Sequence, residues 1–99
     1  MVVPLANGLW SCMYWTYALY NKDRDKIYIG QTQNLDIRLK RHNGELLNKE
    51  RSYTAINEGK WIVIHKEKFN TRHEAMLREK QLKTQKGREF IWSIVRRHW

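Results

Sequence analysis

This sequence of 99 residues has one cysteine, one proline and no long apolar segment. The single Cys12 excludes an internal disulfide, and its spacing from the four histidines does not match a zinc site. No apolar run approaches the roughly 20 residues that span a bilayer. The first twelve residues lack the basic start of a signal peptide, and Pro4, Asn7 and Gly8 interrupt their apolar stretch. We therefore expect a cytoplasmic protein that binds neither zinc nor membranes.

Acidic residues are scarce relative to basic ones. Lys and Arg total 19 against 10 Asp and Glu, which gives a formal charge of +9. Residues 60–99 hold 11 of the basic and 4 of the acidic residues, so most of the excess lies there. Because each Lys or Arg near a phosphate releases condensed counterions, this balance favours nucleic acid as the partner. Acidic lipid is the competing polyanion, but the absence of a long apolar run argues against it.

The length and the apolar pattern together predict one domain. A chain of this size builds one core and leaves little room for a second module. Residues 1–12 lack periodic apolar positions, so we expect them to form a disordered N-terminal extension. Residues 13–99 are then the folded domain.

Two β-prone segments follow this boundary. Met13–Tyr20 is dense in aromatic residues, a polar cluster comes next, and Lys26–Gly30 is a second short β-prone run. The pair predicts a β-hairpin. If the turn sets Tyr17 opposite Tyr28, the two side chains share a face, because cross-strand partners lie on the same side of a sheet.

The pattern becomes helical after the hairpin. Leu35 and Leu39 recur at helical spacing, Asn34 or Thr32 can serve as the N-cap, and Asn43-Gly44 marks the end. This predicts a first helix over about residues 34–43. Arg38 and His42 are four positions apart within it, so both project from one side.

The remaining elements complete a small fold. Residues 45–60 are polar and weakly periodic, which predicts a loop, and Trp61–Phe69 is a third strand. A capping-box pair, Thr71 and Glu74, opens a second helix that runs to about Gln85. Gly87 marks its end, and residues 88–97 form a third helix. The order β-β-α-β-α-α predicts an α/β (α+β) fold, a small three-stranded sheet flanked by helices.

The second helix carries a carboxylate where an apolar residue is expected. Ala75, Glu79 and Leu82 lie on one stripe, so Glu79 stands in the middle of the side that faces the sheet. Three explanations remain open: an ion pair with Arg38 or a nearby lysine, a rotated helix with Met76 facing inward, or a divalent cation held by one carboxylate.

These residues resemble the motifs of the GIY-YIG nucleases. WTYAL around Tyr17 resembles the first motif, and Tyr28-Ile29-Gly30 matches the second letter for letter. The segment QTQNLDIRLKRHN resembles the pattern that follows in the family. Its corresponding positions here are Thr32, Leu35, Arg38 and His42.

The resemblance continues to the third helix and covers about Met13 to Val95. EAMLREKQLK resembles the family's helix with Ala, the metal-binding Glu and Lys at four-residue steps, here Ala75, Glu79 and Lys83. KGREFI is similar to small stand-alone members, some of which resemble the N-terminal nuclease domain of the bacterial nucleotide-excision incision subunit.

Three features of the sequence depart from the family pattern. Trp15-Thr16 replaces Gly-Ile in the first motif, and Gln31 stands where some relatives have Lys. Many members have an Asn downstream of the metal-binding Glu, whereas no Asn follows Asn70 here. The last departure bears on the completeness of the site.

The resemblance implies a divalent-metal-dependent endonuclease that acts on DNA, in repair or recombination. It implies Mg²⁺ or Mn²⁺ as the cofactor and Glu79 as its ligand. The catalytic residues would be Tyr17, Tyr28, Arg38 and His42, with the water-activating tyrosine left open. From the basic helices we assign Lys83, Lys86 and Arg88 to a phosphate track.

Two other classes of function remain as alternatives. One is a non-catalytic nucleic-acid-binding module that keeps the fold and the basic surface, and the other is a protein-interaction domain. The sequence shows no specificity module, so we also expect structure-directed cutting or an unidentified targeting partner.

Overall fold

The computed structural model describes residues 2–4, 10–44 and 59–99, so most of the predicted loop over 45–60 lies outside the described residues. Its centre is a three-stranded antiparallel sheet. The strands are β3 (Tyr14–Asn21), β4 (Lys26–Thr32) and β5 (Trp61–Phe69), in the order β4-β3-β5. The predicted hairpin and third strand are confirmed.

A second, two-stranded sheet precedes it. β1 (Val2–Pro4) and β2 (Trp10–Cys12) pair antiparallel, with Val2 opposite Cys12. The expectation of a disordered segment over residues 1–12 therefore differs from the structure at these two strands. Backbone pairing needs no apolar periodicity, and the β-branched Val2 and Val3 favour extended backbone. The domain boundary at residue 13 stays a prediction.

Three helices complete the described part of the fold. They are α1 (Leu35–His42), α2 (Arg72–Leu82) and α3 (Gln85–His98), which confirms the predicted β-β-α-β-α-α order around the main sheet. Asn34, not Thr32, caps α1, because its side chain accepts a hydrogen bond from the Ile37 amide. Among the described residues no helix is both long and apolar enough to cross a bilayer.

The boundary between α2 and α3 differs from the predicted one. Thr84 is the N-cap of α3 and accepts a hydrogen bond from the Gly87 amide, so Gly87 lies in the first turn of α3 and does not end α2. A Cβ at Gly87 would lie 2.3 Å from the Gln81 carbonyl oxygen. Because glycine has no side chain, the two helices can approach each other closely at this position. A glycine is also typical of a helix end, so the sequence alone does not distinguish the two roles.

The sheet separates two cores. On one side, which we call the α2–α3 face, Ala18 and Tyr20 of β3 pack with Leu82, Ile91 and Val95. On the other side, which we call the α1 face, the alternate residues of β3 pack against α1 and the start of β5. The members of this second core are Tyr17, Leu19, Leu35 and Trp61, with Trp15, Tyr28, Leu39 and Val63 packed against it.

A β-bulge interrupts the pairing of β3 with β5. Leu19 pairs with Val63 but Ala18 pairs with His65, so β5 has one extra residue, Ile64. Beyond the bulge the alternation of β5 is shifted by one position. Lys66 therefore lies opposite Tyr17.

Candidate active site

Four of the predicted site residues meet on the α1 face. Tyr17 comes from β3, Tyr28 from β4, and Arg38 and His42 from α1. Tyr17 pairs with Gly30, so the direct pairing with Tyr28 that the sequence analysis considered as a condition does not occur. The offset is two residues, which preserves the face, and the two rings lie 6.1 Å apart as diagonal neighbours.

Gly30 makes room for the two phenol rings. A Cβ at this position would lie 2.8 Å from Cε1 of Tyr28 and 2.9 Å from Oη of Tyr17. Any side chain at residue 30 would therefore displace one of the tyrosines. The glycine of the YIG sequence has a steric function at this site, which the spacing of the motif alone does not reveal.

Helix α1 is fixed to the sheet at its carboxyl end. The Asn43 side chain donates from Nδ2 to the Trp61 carbonyl oxygen at 3.0 Å and accepts from the Trp61 amide at 2.6 Å. These two hydrogen bonds between α1 and β5 fix the position of the last turn of α1 over the sheet. His42 is buried there, on the same side of α1 as Arg38, with its Nε2 2.9 Å from Oη of Tyr17.

The protonation states of this group follow from its burial. Burial, and then the positive charge of Arg38, lower the pKa of His42 from 6.5 to about 4, so the imidazole is neutral near pH 7. Burial, and then the neighbouring Tyr28, raise the pKa of the Tyr17 phenol, which keeps its proton. Arg38 only donates, and it hydrogen-bonds Tyr17. The Tyr17 hydroxyl and Nε2 of His42 share one hydrogen bond, whose donor is set by the tautomer of the neutral imidazole.

The two tyrosines differ in access. Tyr17 is 0% exposed, whereas Tyr28 is half-buried with its ring 4.5 Å from that of His42. Nε of Arg38 is buried and has no hydrogen-bond partner within residues 2–4, 10–44 and 59–99. A buried donor without an acceptor is costly in a folded protein, and an oxygen of a bound anion would satisfy it. The geometry therefore distinguishes an internal tyrosine from one that a ligand can reach.

Glu79 lies on α2, between the buried Ala75 and Leu82, and is itself half-buried. Its Oε2 is 2.8 Å from Nζ of Lys83, one turn further along the helix. This is the nearby-lysine alternative of the sequence analysis. Met76 is 48% exposed, so the rotated-helix alternative is wrong. Within the described ranges Glu79 has no hydrogen bond or ion pair with the four residues of the α1 face.

The described residues contain no group of three or more His, Cys, Asp or Glu side chains that could hold a metal ion. A cation held only by protein ligands, such as structural zinc, does not fit them. A cation held by one carboxylate, with water and a phosphate completing its coordination, does fit the half-buried Glu79.

The three residues assigned to a phosphate track lie at the α2–α3 junction. Lys83 is paired with Glu79, while Lys86 and Arg88 are exposed in the first turn of α3. Both helices pack on the α2–α3 face of the sheet. The cluster of tyrosines lies on the opposite face, and among the described residues no hydrogen bond or ion pair joins it to these three residues or to Glu79, the partner of Lys83.

A second basic group, which no sequence pattern indicated, lies on the α1 face. Nζ of Lys66 lies 5.4 Å, and Nζ of Lys68 5.8 Å, from the centroid of the Trp15 ring. No sequence signal distinguishes these lysines from other surface lysines. Their position depends on the bulge at Ile64, which has no motif of its own.

The chain can now be compared with known proteins. The model of the GIY-YIG catalytic domain matches residues 13–91, which include all four residues of the cluster and Glu79. Among solved structures, the chain is similar to the solution NMR structure of the UPF0213 protein BH0048 from Bacillus halodurans. The identity is 25%, the match covers 83% of this chain and 84% of that chain, and the TM-score is 0.47. No curated protein sequence matches significantly.

The family match covers well over half of the sequence, and it includes both tyrosine motifs and the helix that carries Glu79. GIY-YIG catalytic domains are nuclease domains, so the match indicates nuclease activity in general terms. The chain belongs to the GIY-YIG family.

Proposed function

We propose that this protein is a divalent-metal-dependent endonuclease that hydrolyses phosphodiester bonds in DNA. The observation that carries the proposal is the buried Nε of Arg38, which lies beside the two tyrosines and has no hydrogen-bond partner among the described residues. A guanidinium placed in this way binds the oxygens of a phosphate and stabilises the charge that develops during hydrolysis. The net charge of +9 favours the same polyanionic substrate.

We assign the attacking water to Tyr28. Its phenol is half-buried, so water and substrate can reach it, whereas Tyr17 is fully buried. Tyr17 and His42 act through Arg38 and Tyr28 and are positioning residues. Their hydrogen bond at 2.9 Å fixes the orientation of the phenol that Arg38 contacts.

Glu79 would hold Mg²⁺ or Mn²⁺. When bound, such an ion polarises the phosphate as a Lewis acid. Lys83 neutralises the carboxylate in its absence and is half-exposed, so its flexible side chain can leave the carboxylate to a cation. In this proposal the protein acts in DNA repair or recombination, and an unidentified partner selects the site of cleavage.

A cleavage assay with matched variants tests the proposal. Plasmid, single-stranded, branched and RNA substrates are incubated with Mg²⁺, Mn²⁺ or EDTA, for the parent, Glu79→Gln and Glu89→Gln. Glu89 is exposed on α3, so its variant makes the same change in charge away from the site. We expect metal-dependent cleavage of DNA by the parent and Glu89→Gln only. Glu79→Gln should stay folded and bind DNA at least as well, because a negative charge near the phosphate is removed.

Two outcomes would contradict the proposal. Equal metal-dependent cleavage by all three proteins would show that Glu79 is not the metal ligand. Folded but inactive parent and variants with equal DNA affinity would indicate the second candidate function, a nucleic-acid-binding module without turnover. The ion pair of Glu79 with Lys83 favours that second candidate, because it satisfies the carboxylate without a metal.

A further inference from the structure

The α1 face carries a basic surface beside the tyrosine cluster. On β5, Lys68 pairs with Trp15 and Lys66 pairs with Tyr17, so both lysines share a face with these β3 residues. Their ammonium groups lie 5.4 and 5.8 Å from the centroid of the Trp15 ring, within the range of a cation–π interaction. We call the three residues Trp15, Lys66 and Lys68 the β5 lysine site.

The charges of the β5 lysine site are not neutralised within the described structure. Neither lysine has a salt bridge among the described residues, and both are exposed. The acid between them, Glu67, lies on the α2–α3 face, where it accepts two hydrogen bonds from Nε of Arg78. Two uncompensated positive charges therefore lie next to the candidate active site.

The bulge at Ile64 causes this separation of charges. Strict alternation from Val63 would place residues 65 and 67 on the α1 face. The extra residue moves His65 and Glu67 to the α2–α3 face instead, where His65 contacts Phe90 of α3 edge to face. Bulges are frequent beside active sites because they redirect side chains in this way. The two lysines thus lie on the cluster's face because of a specific irregularity of the strand.

We propose that Lys66 and Lys68, held over Trp15, bind the phosphates of the DNA strand next to the phosphate that is cleaved. The site lies one strand away from Tyr17, and successive lysines on one face are separated by two residues, about 6.6 Å along the strand. The cation–π contacts limit the freedom of the two ammonium groups, so less freedom is lost when a phosphate binds. This inference rests on the proposed function, because it assigns a substrate subsite to the same face.

Salt-dependent DNA binding tests the inference. The Kd of a short fluorescent duplex is measured by anisotropy in EDTA over a range of salt concentrations, for the parent and for Lys66→Ala/Lys68→Ala. The matched control is Lys22→Ala/Lys26→Ala, which removes two exposed lysines from the turn at the other end of the β3–β4 hairpin. We expect the slope of log Kd against log salt to decrease by roughly 0.9 for each lysine of the site removed, and to stay at the parent value in the control.

A charge-retaining variant separates binding from folding. Lys66→Arg/Lys68→Arg keeps both charges and can still contact Trp15, so it should restore the parent slope. Equal slopes for the parent and Lys66→Ala/Lys68→Ala, or an equal loss in the Lys22→Ala/Lys26→Ala control, would overturn the inference.

The outcome is independent of the test of turnover. Binding is measured without metal. If the parent is inactive but shows the expected slopes, the proposed nuclease activity is refuted and the proposed role of the β5 lysine site is supported. Cleavage of DNA by the parent, with unchanged slopes in Lys66→Ala/Lys68→Ala, would refute the β5 lysine site and leave the nuclease.

Discussion

The two faces of the central sheet differ in what they bury. The α2–α3 face buries aliphatic residues such as Leu82, Ile91 and Val95, and its acid Glu67 is paired with Arg78. The α1 face buries Tyr17 and His42, and no hydrogen-bond partner of Arg38 Nε lies in the part of the chain that the structure describes. Burial of each aliphatic side chain stabilises the fold by about 1.5–3 kcal/mol, whereas an unpaired buried donor destabilises it by about 1–3 kcal/mol. One face therefore supplies stability, and the other retains polar groups that a ligand can satisfy.

The largest expected effect is on turnover, at the α1 face. Tyr28→Phe should reduce cleavage on the order of 10²- to 10⁴-fold while the protein stays folded, because only a half-buried hydroxyl is removed. Tyr17→Phe should retain more activity but change the pH profile, since His42 loses its hydrogen bond with the phenol. Single-turnover rates with circular dichroism as a folding control measure both. A larger loss in Tyr17→Phe would reverse our assignment of the water to Tyr28.

The second largest expected effect is on stability, at the α2–α3 face. Ile91→Ala should lower the free energy of unfolding by roughly 2–5 kcal/mol, because Ile91 is fully buried among aliphatic residues. Cleavage per folded molecule should equal that of the parent. Urea unfolding measures the change, with Met76→Ala on exposed α2 surface as the control, for which we expect less than about 0.5 kcal/mol. A folded Ile91→Ala without activity would show that the two faces are not separable.

The third effect depends on pH. The pKa of His42 is about 4 in the fold against 6.5 ordinarily, so the unfolded chain binds the proton first as the pH falls. The contribution of neutral His42 is complete above about pH 6.5 and is lost as the pH falls to about 4, by on the order of 3 kcal/mol. Urea unfolding across this range should show the loss in the parent and a smaller one in His42→Gln. If the free energy of unfolding fell equally steeply with pH in the parent and in His42→Gln, a group other than His42 would be responsible for the loss.

The smallest expected effect is at the ion pair of the α2–α3 face. Burial raises the pKa of Glu67, but hydrogen bonds from His65 and Arg78 lower it by more, so the pKa lies below its ordinary value. Its contribution is therefore present above the ordinary value of 4.5 and is lost as the pH falls below it. Glu67→Gln should cost less than about 1 kcal/mol at pH 7, because the pair is partly exposed. A loss of several kcal/mol in thermal or urea unfolding would mean that this face, too, depends on buried charge.

Much of the fold follows from local sequence patterns. The strand Trp61–Phe69 agrees with the prediction at both ends, and the first helix agrees to within one residue. The capping pair works as predicted, because Oγ1 of Thr71 accepts from the Glu74 amide. The positions of Arg38 and His42 on one side of α1 follow from helical periodicity alone. Elements with strong periodicity or caps can be placed without tertiary information.

The relations between elements could not be predicted in the same way. Hairpin register depends on turn geometry, so the sequence alone does not identify Gly30 as the partner of Tyr17. The ion pair of Glu79 with Lys83 was one of three open explanations, because the surroundings of a helix face depend on tertiary packing. The bulge at Ile64 leaves no trace in the alternation, since valine, isoleucine and histidine all fit either face.

The two hydrogen bonds between Asn43 and Trp61 bear on how far this domain can vary in length. The two residues lie 18 positions apart in the chain, yet two hydrogen bonds hold them together. The ends of the intervening segment are therefore held side by side by contacts that do not involve the segment itself. Because these two hydrogen bonds position α1, a change in the number of residues between Asn43 and Trp61 need not move Arg38. The chain between α1 and β5 can thus vary in length while the group of side chains on the α1 face keeps its arrangement.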